Sequence, residues 1–218
     1  MSNHYEKITE TVRGAFATKN AARDAALSRS RELIRQCSEC IRAIHRQEWD
    51  AAAARLETLR SAAAELRAVV AEHPDLYHAG YTQDALKEVV EAFATYAIVR
   101  EQPLPTMEEL HVEAAAYING LAEAATELRR FILDILRRED AHSAEAERLL
   151  DWMDTIYDSL VTFDFPDAIT GDLRRRTDTV RGVLERTRGD LTLSLRQQRL
   201  QEALAQFESK SLGSSEQP

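Results

Sequence analysis

From about residue 7 to residue 46 the helical pattern is unbroken except at Gly14, which makes an unusually long first helix. A chain that opens this way is read as an assembly of helices. The composition agrees. Gly and Pro number only 7 and 5, Ala, Leu, Glu and Arg are abundant, and no long run of Val, Ile or Thr alternates with polar residues as a strand would. The fold class is therefore all-α. At 218 residues the chain can bury a substantial core without covalent staples.

The corner "RQEWD" turns the chain into a second helix over 50–72. "EHPDLYHAGY" breaks it at Pro74 and Gly80, and a third helix covers about 81–101 before "EQPLP". Thr106, with Glu109 three residues on, forms the pattern of a capping box, so a fourth helix is expected from there to about 138. Ser143 can cap a fifth through about 162. A last long helix spans about 168–206 and includes Gly171, Gly182 and Gly189. No Pro-, Gly- or Ser-rich linker interrupts this body. The expectation is one domain of six or seven antiparallel helices over 1–206, followed by a disordered tail over 207–218.

The net charge of −9 argues against general attraction to nucleic acid, so any polyanion would need locally gathered positive charge. No apolar run approaches the roughly 20 residues of a membrane span. "MSNHYEKITETVRG" lacks an apolar signal core, and two cysteines suit a reducing compartment, so a cytoplasmic location is expected. P-loop, G-x-G-x-x-G, G-x-S-x-G and H-E-x-x-H patterns are all missing.

Several clusters could carry chemistry, and each has a plain alternative. Cys37 and Cys40 form a C-x-x-C without the second pair a zinc site needs, and read as small core residues. Glu108–His111 and Glu139–His142 are E-x-x-H pairs of the kind found in ferritin-like carboxylate bundles, but neither sits mid-helix. In "DALKEVVEAFATY", Leu86, Val89, Val90, Phe93 and Ala97 make one apolar side. Asp84, Glu88, Glu91 and Thr95 stand opposite and read, on periodicity alone, as a solvated face. On the fourth helix Tyr117, Leu121, Ala124, Leu128, Phe131 and Ile135 read as the core side, with Glu123 and Glu127 at i, i+4 on its flank beside Gly120. Like charges at that spacing cost a few tenths of a kcal/mol in an isolated helix. Were the two acidic faces to meet, four carboxylates would converge, a hard oxygen set suited to Mg²⁺ or Mn²⁺. Arg31, Arg35, Arg42 and Arg46 fall within about 60° of one another on the first helix. They contain no acidic partner within the stripe and are the stronger phosphate-binding candidates. Arg174, Arg181 and Arg188 repeat every seven residues on the last helix, where Asp178 and Glu185 at i, i+4 offer them a plainer role.

Three of these segments, with the opening helix "SRELIRQCSECIRAIHR", resemble the translin family over roughly residues 20–200. "GYTQDALKEVVEAF" is similar to the E-x-x-E segment of its factor X type, at Glu88 and Glu91. "YINGLAEAATELRR" is similar to the next motif of that type, at Tyr117, Gly120, Glu123, Glu127 and Leu128. "LRRRTDTVRGVLERTRGDL" resembles the final helix. Two departures stand out: Glu123 where the eukaryotic factor has Asp, and a short connection between the third and fourth helices. The resemblance implies a translin-type bundle and a Mg²⁺- or Mn²⁺-dependent endoribonuclease on single-stranded RNA. Glu88, Glu91, Glu123 and Glu127 would bind the catalytic ion, the arginines would grip phosphates, and the protein would assemble as a homo-octameric shell. A non-catalytic, translin-type binder of single-stranded RNA or DNA is the alternative, and a ferritin-like carboxylate metal protein a remoter one.

Overall fold

The structure, a computed structural model, describes residues 2–138 and 144–213. Among the described residues there are six long helices and three single turns, with no strand. The long ones are α1 (Ser2–His45), α2 (Trp49–Val70), α4 (Gly80–Val99), α6 (Ala114–Leu136), α7 (Ala144–Leu160) and α9 (Leu173–Gly213). The short ones are α3 (Pro74–Tyr77), α5 (Met107–Leu110) and α8 (Asp167–Thr170). The all-α reading holds, and no described helix is long and apolar enough to cross a membrane.

The helix ends explain where the boundaries differ. The capping box at Thr106 forms: its hydroxyl accepts from the Glu109 amide at 3.2 Å, and its own amide donates to the Glu109 carboxylate at 2.7 Å. That helix, however, lasts one turn. His111 adopts φ +53, its amide donates to the Glu108 carbonyl, and the Val112 amide reaches back to the Met107 carbonyl at 3.1 Å. This six-to-one closure satisfies the orphan carbonyls of a helix end, so the fourth helix expected from Thr106 restarts as α6 at Ala114. Gln47 and Glu101 close α1 and α4 in the same way, with Glu48 donating to Ala43 and Gln102 to Ala97. Gly171 and Asp172 are both left-handed, at φ +61 and +64, and separate α8 from α9. Gly171 therefore lies outside the last helix. At its other end α9 runs on to Gly213, beyond the 206 expected. Ser143 and the Glu139–His142 pair lie outside the described residues.

α4 is the centre of the bundle. It packs against α1, α2 and α6, and α6 packs in turn against α7 and α9. Leu86, Val90 and Ile98 are fully enclosed, and so are Thr95 and nearly all of Glu91. Half of the polar side of α4 thus faces protein where periodicity predicted solvent: Glu91 and Thr95 are buried, Glu88 is partly covered and Asp84 is exposed. Each enclosed Leu or Ile contributes roughly 1.5–3 kcal/mol by leaving water. Polar ties fix the connections: Tyr117 Oη donates to the Pro105 carbonyl at 2.7 Å, and Arg148 Nη1 donates to the α4 carbonyl of Ile98 at 2.9 Å. The outer ends of α1 and α9 contribute little to this core. Tyr5, Ile8, Val12 and Phe16 are exposed along α1, as are Leu193, Leu200, Leu204 and Phe207 along α9.

Candidate metal centre

Close approach of α4 and α6 begins with Gly120. A methyl group at that position would lie 2.5 Å from Val90 Cβ and 2.8 Å from the Lys87 carbonyl oxygen. Only the missing side chain lets the two backbones come this near, and the residues one turn away are carried together. Small residues line the same side of α6: Ala116, Gly120 and Ala124 are enclosed, whereas Tyr117, Leu121 and Ile135, expected to be the core side, are partly covered.

Glu88 and Glu91 from α4 and Glu123 from α6 each offer a carboxylate oxygen, all within 4.8 Å of one another. Glu127 does not join this group. Its Oε2 accepts from His45 Nε2 of α1 at 2.6 Å, while the His45 ring, enclosed by its surroundings, stacks on Phe131 with centroids 4.6 Å apart. Three of the four predicted acids therefore converge, and the fourth is held beside them by a histidine.

Two cations answer this negative charge. Lys87 Nζ lies 2.9 Å from Glu88 Oε1 and also donates to Glu123 Oε2; Arg176 of α9 donates to Glu123 Oε1. Burial alone would push Lys87 down, but its hydrogen bonds and charge contacts with Glu123 and Glu88 outweigh it, and the ammonium is held above its usual range. Among the described residues Glu91 has no ion-pair partner. Burial first, then the charges of Glu88, Glu123 and Glu127, push its carboxyl up to about 9, with Lys87 a smaller opposing influence. These neighbouring carboxylates together favour keeping a proton that an isolated carboxylate would lose. Oxygen donors from three carboxylates, crowded enough that one stays protonated, are what a small divalent cation relieves.

The arginine stripes divide. Arg35, whose stripe contains no acidic partner, is paired with Glu32 at 2.5 Å and also donates to Glu39, both of which lie outside the stripe. These partners lie one turn away on α1. Arg31, Arg42 and Arg46 are exposed and have no ion-pair partner among the described residues. On α9, Arg174 lies 3.9 Å from Asp164 and Arg181 3.5 Å from Asp178, while Arg188 reaches Asp154 of α7 at 2.6 Å. Each arginine of that stripe thus has an acidic neighbour, though the Arg174 and Arg181 pairs are exposed and weak. If the free arginines of α1 bind phosphates, Arg42→Ala with Arg46→Ala should weaken RNA binding for all sequences alike. The slope of log affinity against log salt should become shallower by roughly one to two, read by fluorescence anisotropy at several salt concentrations. An unchanged slope would remove α1 from the interface.

Cys37 and Cys40 are buried and free, and burial raises both thiols, Cys40 to about 11, which fits core residues rather than reactive ones. Glu108 and His111 are exposed on α5 and its cap, outside the carboxylate group. Sequence reasoning missed Lys87, Arg176 and His45. Arg176 and His45 find their partners 53 and 82 residues away, and although Lys87 stands next to Glu88, its bond to Glu123 spans 36, so local spacing could not reveal this set.

No family model matches the chain. An uncharacterized protein of Methanocaldococcus jannaschii is 32% identical over 191 residues, covering 87% of this chain and 83% of that protein. The crystal structure of AfC3PO is similar at TM-score 0.78 and 33% identity, over 85% of this chain and 96% of that one. The AfC3PO complex with duplex RNA gives the same score and identity, over 85% of this chain and 95% of that one. Apo-NeC3PO reaches TM-score 0.77 at 20% identity, over 85% of this chain and 96% of that one, a likeness of fold.

Proposed function

The chain belongs to the translin family, and from that premise we propose that it is a metal-dependent endoribonuclease acting on single-stranded RNA. The observation that carries this reading is the convergence of Glu88, Glu91 and Glu123 beneath the α4–α6 contact. These residues would hold a Mg²⁺ or Mn²⁺ ion, with Glu127 as the fourth carboxylate. Such an ion supplies Lewis acidity, lowering the pKa of a water and offsetting charge on the phosphate. The protein's own part is to bring two helices close, to keep Glu91 out of bulk water, and to hold Glu127 through His45. Arg31, Arg42 and Arg46 would contact the phosphate backbone without reading bases. AfC3PO, similar over most of the chain, is known in complex with duplex RNA, which supports nucleic acid as the ligand here.

A second reading is favoured by one observation. Lys87 and Arg176 already neutralise Glu123, as they would in a shell subunit that binds RNA or single-stranded DNA without cutting it. A labelled single-stranded RNA decides between the two. Cleavage is expected with Mn²⁺ or Mg²⁺ and none in EDTA. Binding without cleavage in either condition supports the second reading, and cleavage in EDTA overturns the metal-dependent one.

The exposed apolar residues along the outer halves of α1 and α9 support assembly with further copies of this chain, as a homo-octamer. Light scattering at micromolar concentration is expected to give a mass several times the 24.6 kDa of one chain, and a monomeric mass would overturn the shell.

A further inference from the structure

Beside the carboxylates lies a cleft of about 890 Å³, bounded by the first turns of α4 and α6 and by the α8–α9 corner. Lys87 and Arg176 both line it, and both are turned to Glu123. We propose that Lys87 and Arg176 are exchangeable cations: they neutralise Glu123 until a divalent ion takes its carboxylate, then bind a nucleic-acid phosphate in this cleft, making metal and RNA binding cooperative. This rests on the metal-dependent reading of the same acids.

The argument is one of competing charges. Lys87 stands at one oxygen of Glu123 and Arg176 at the other, so a divalent ion that uses this carboxylate meets a positive charge on either side, and like-charge repulsion favours moving at least one of them away. Displacing Lys87 has a consequence, because its side chain is only 9% exposed. A buried ammonium deprived of its carboxylates is strongly destabilised unless another anion arrives. Arg176 is incompletely satisfied as it stands: its Nε is buried and has no hydrogen-bond partner among the described residues. Acidic residues elsewhere on the cleft wall, Asp84, Glu113 and Asp172, oppose an anion there. The inner end, where Lys87 and Arg176 stand, is the place left for a phosphate.

The test uses Mn²⁺ and a 2′-O-methyl RNA oligonucleotide, whose blocked 2′-hydroxyl limits turnover, with binding of each measured alone and with the other saturating. In the wild type each ligand is expected to tighten the other about tenfold, by the same factor in both directions. Lys87→Met and Arg176→Met are expected to bind Mn²⁺ at least as tightly as the wild type, with the mutual factor cut below about threefold. Lys87→Arg, which keeps the charge, should retain most of it. A wild-type factor near one overturns the inference and leaves the metal site standing. So does Lys87→Met or Arg176→Met, folded by circular dichroism, with the full factor. A wild type that binds no Mn²⁺ overturns both readings together.

Discussion

Glu91→Gln is expected to abolish Mn²⁺-dependent RNA cleavage and, at pH 8, to raise the melting temperature of the metal-free protein. Loss of activity and gain of stability together distinguish a site ligand from a structural residue. The gain follows from the proton on Glu91. Its carboxyl in the folded protein is pushed up to about 9, from the usual 4.5, by burial and by the surrounding carboxylates. Between those values the folded protein keeps a proton that the unfolded chain has lost. The stabilising contribution of the protonated group is therefore complete below about pH 4.5 and is lost as pH rises through 9, by at most about 1.4 kcal/mol per pH unit. Gln does not titrate, so the variant's advantage should be small at pH 5 and widen towards pH 9. Melting curves in chelator at pH 5, 7 and 9 measure it directly, and parallel curves for the two proteins would mean that Glu91 ionises as an ordinary carboxylate. The activity arm follows from the same group. Cleavage should fall by at least about 100-fold, more than is typical for residues that only support a ligand. In the wild type, Mn²⁺ must displace the proton, so affinity should rise with pH over this window.

Gly120→Ala is expected to destabilise the protein by about 1–3 kcal/mol and to weaken Mn²⁺ binding at least tenfold. Two effects oppose each other. Ala is the better helix former by roughly 1 kcal/mol, which would favour the variant in open space. At residue 120 the new methyl would meet Val90 Cβ at 2.5 Å and a backbone oxygen at 2.8 Å, and a backbone in mid-helix cannot step aside. The helices must separate, and Glu123 then leaves Glu88 and Glu91. Gly182 is the control, since nothing lies within 4 Å of a methyl there. Gly182→Ala should stabilise by up to about 1 kcal/mol and leave Mn²⁺ affinity alone. Denaturant unfolding and calorimetric titration separate the cases. A Gly120→Ala protein as stable and as tight for Mn²⁺ as the wild type would show that this contact does not set the site.

The fold class and the six long helices were legible because a period of 3.6 survives in every long segment. The helix ends were less so. Gln47, Glu101 and His111 close their helices in the left-handed conformation where Gly is the usual signal, and the closing bonds are made by backbone amides. Residue type carries little of that information. The convergence of Glu88, Glu91 and Glu123 was legible through the family motif, whereas the burial of Glu91 was not, because it depends on how α1, α2 and α6 pack around α4. The pairing of Arg35 was legible: Glu32 and Glu39 stand three and four residues away, and comparing arginines only with one another along the stripe hid them.

The length of α1 has a hydrodynamic consequence. Its 44 residues make a rod of about 66 Å. A compact globule of 218 residues has a radius of gyration of about 17 Å, hence a width of about 44 Å. The rod exceeds that width by roughly half, and its outer half lies open to solvent. One such chain tumbles and migrates as a larger particle than its mass implies. Elution volume would overstate the mass of a single chain, which scattered light, proportional to mass, would give correctly.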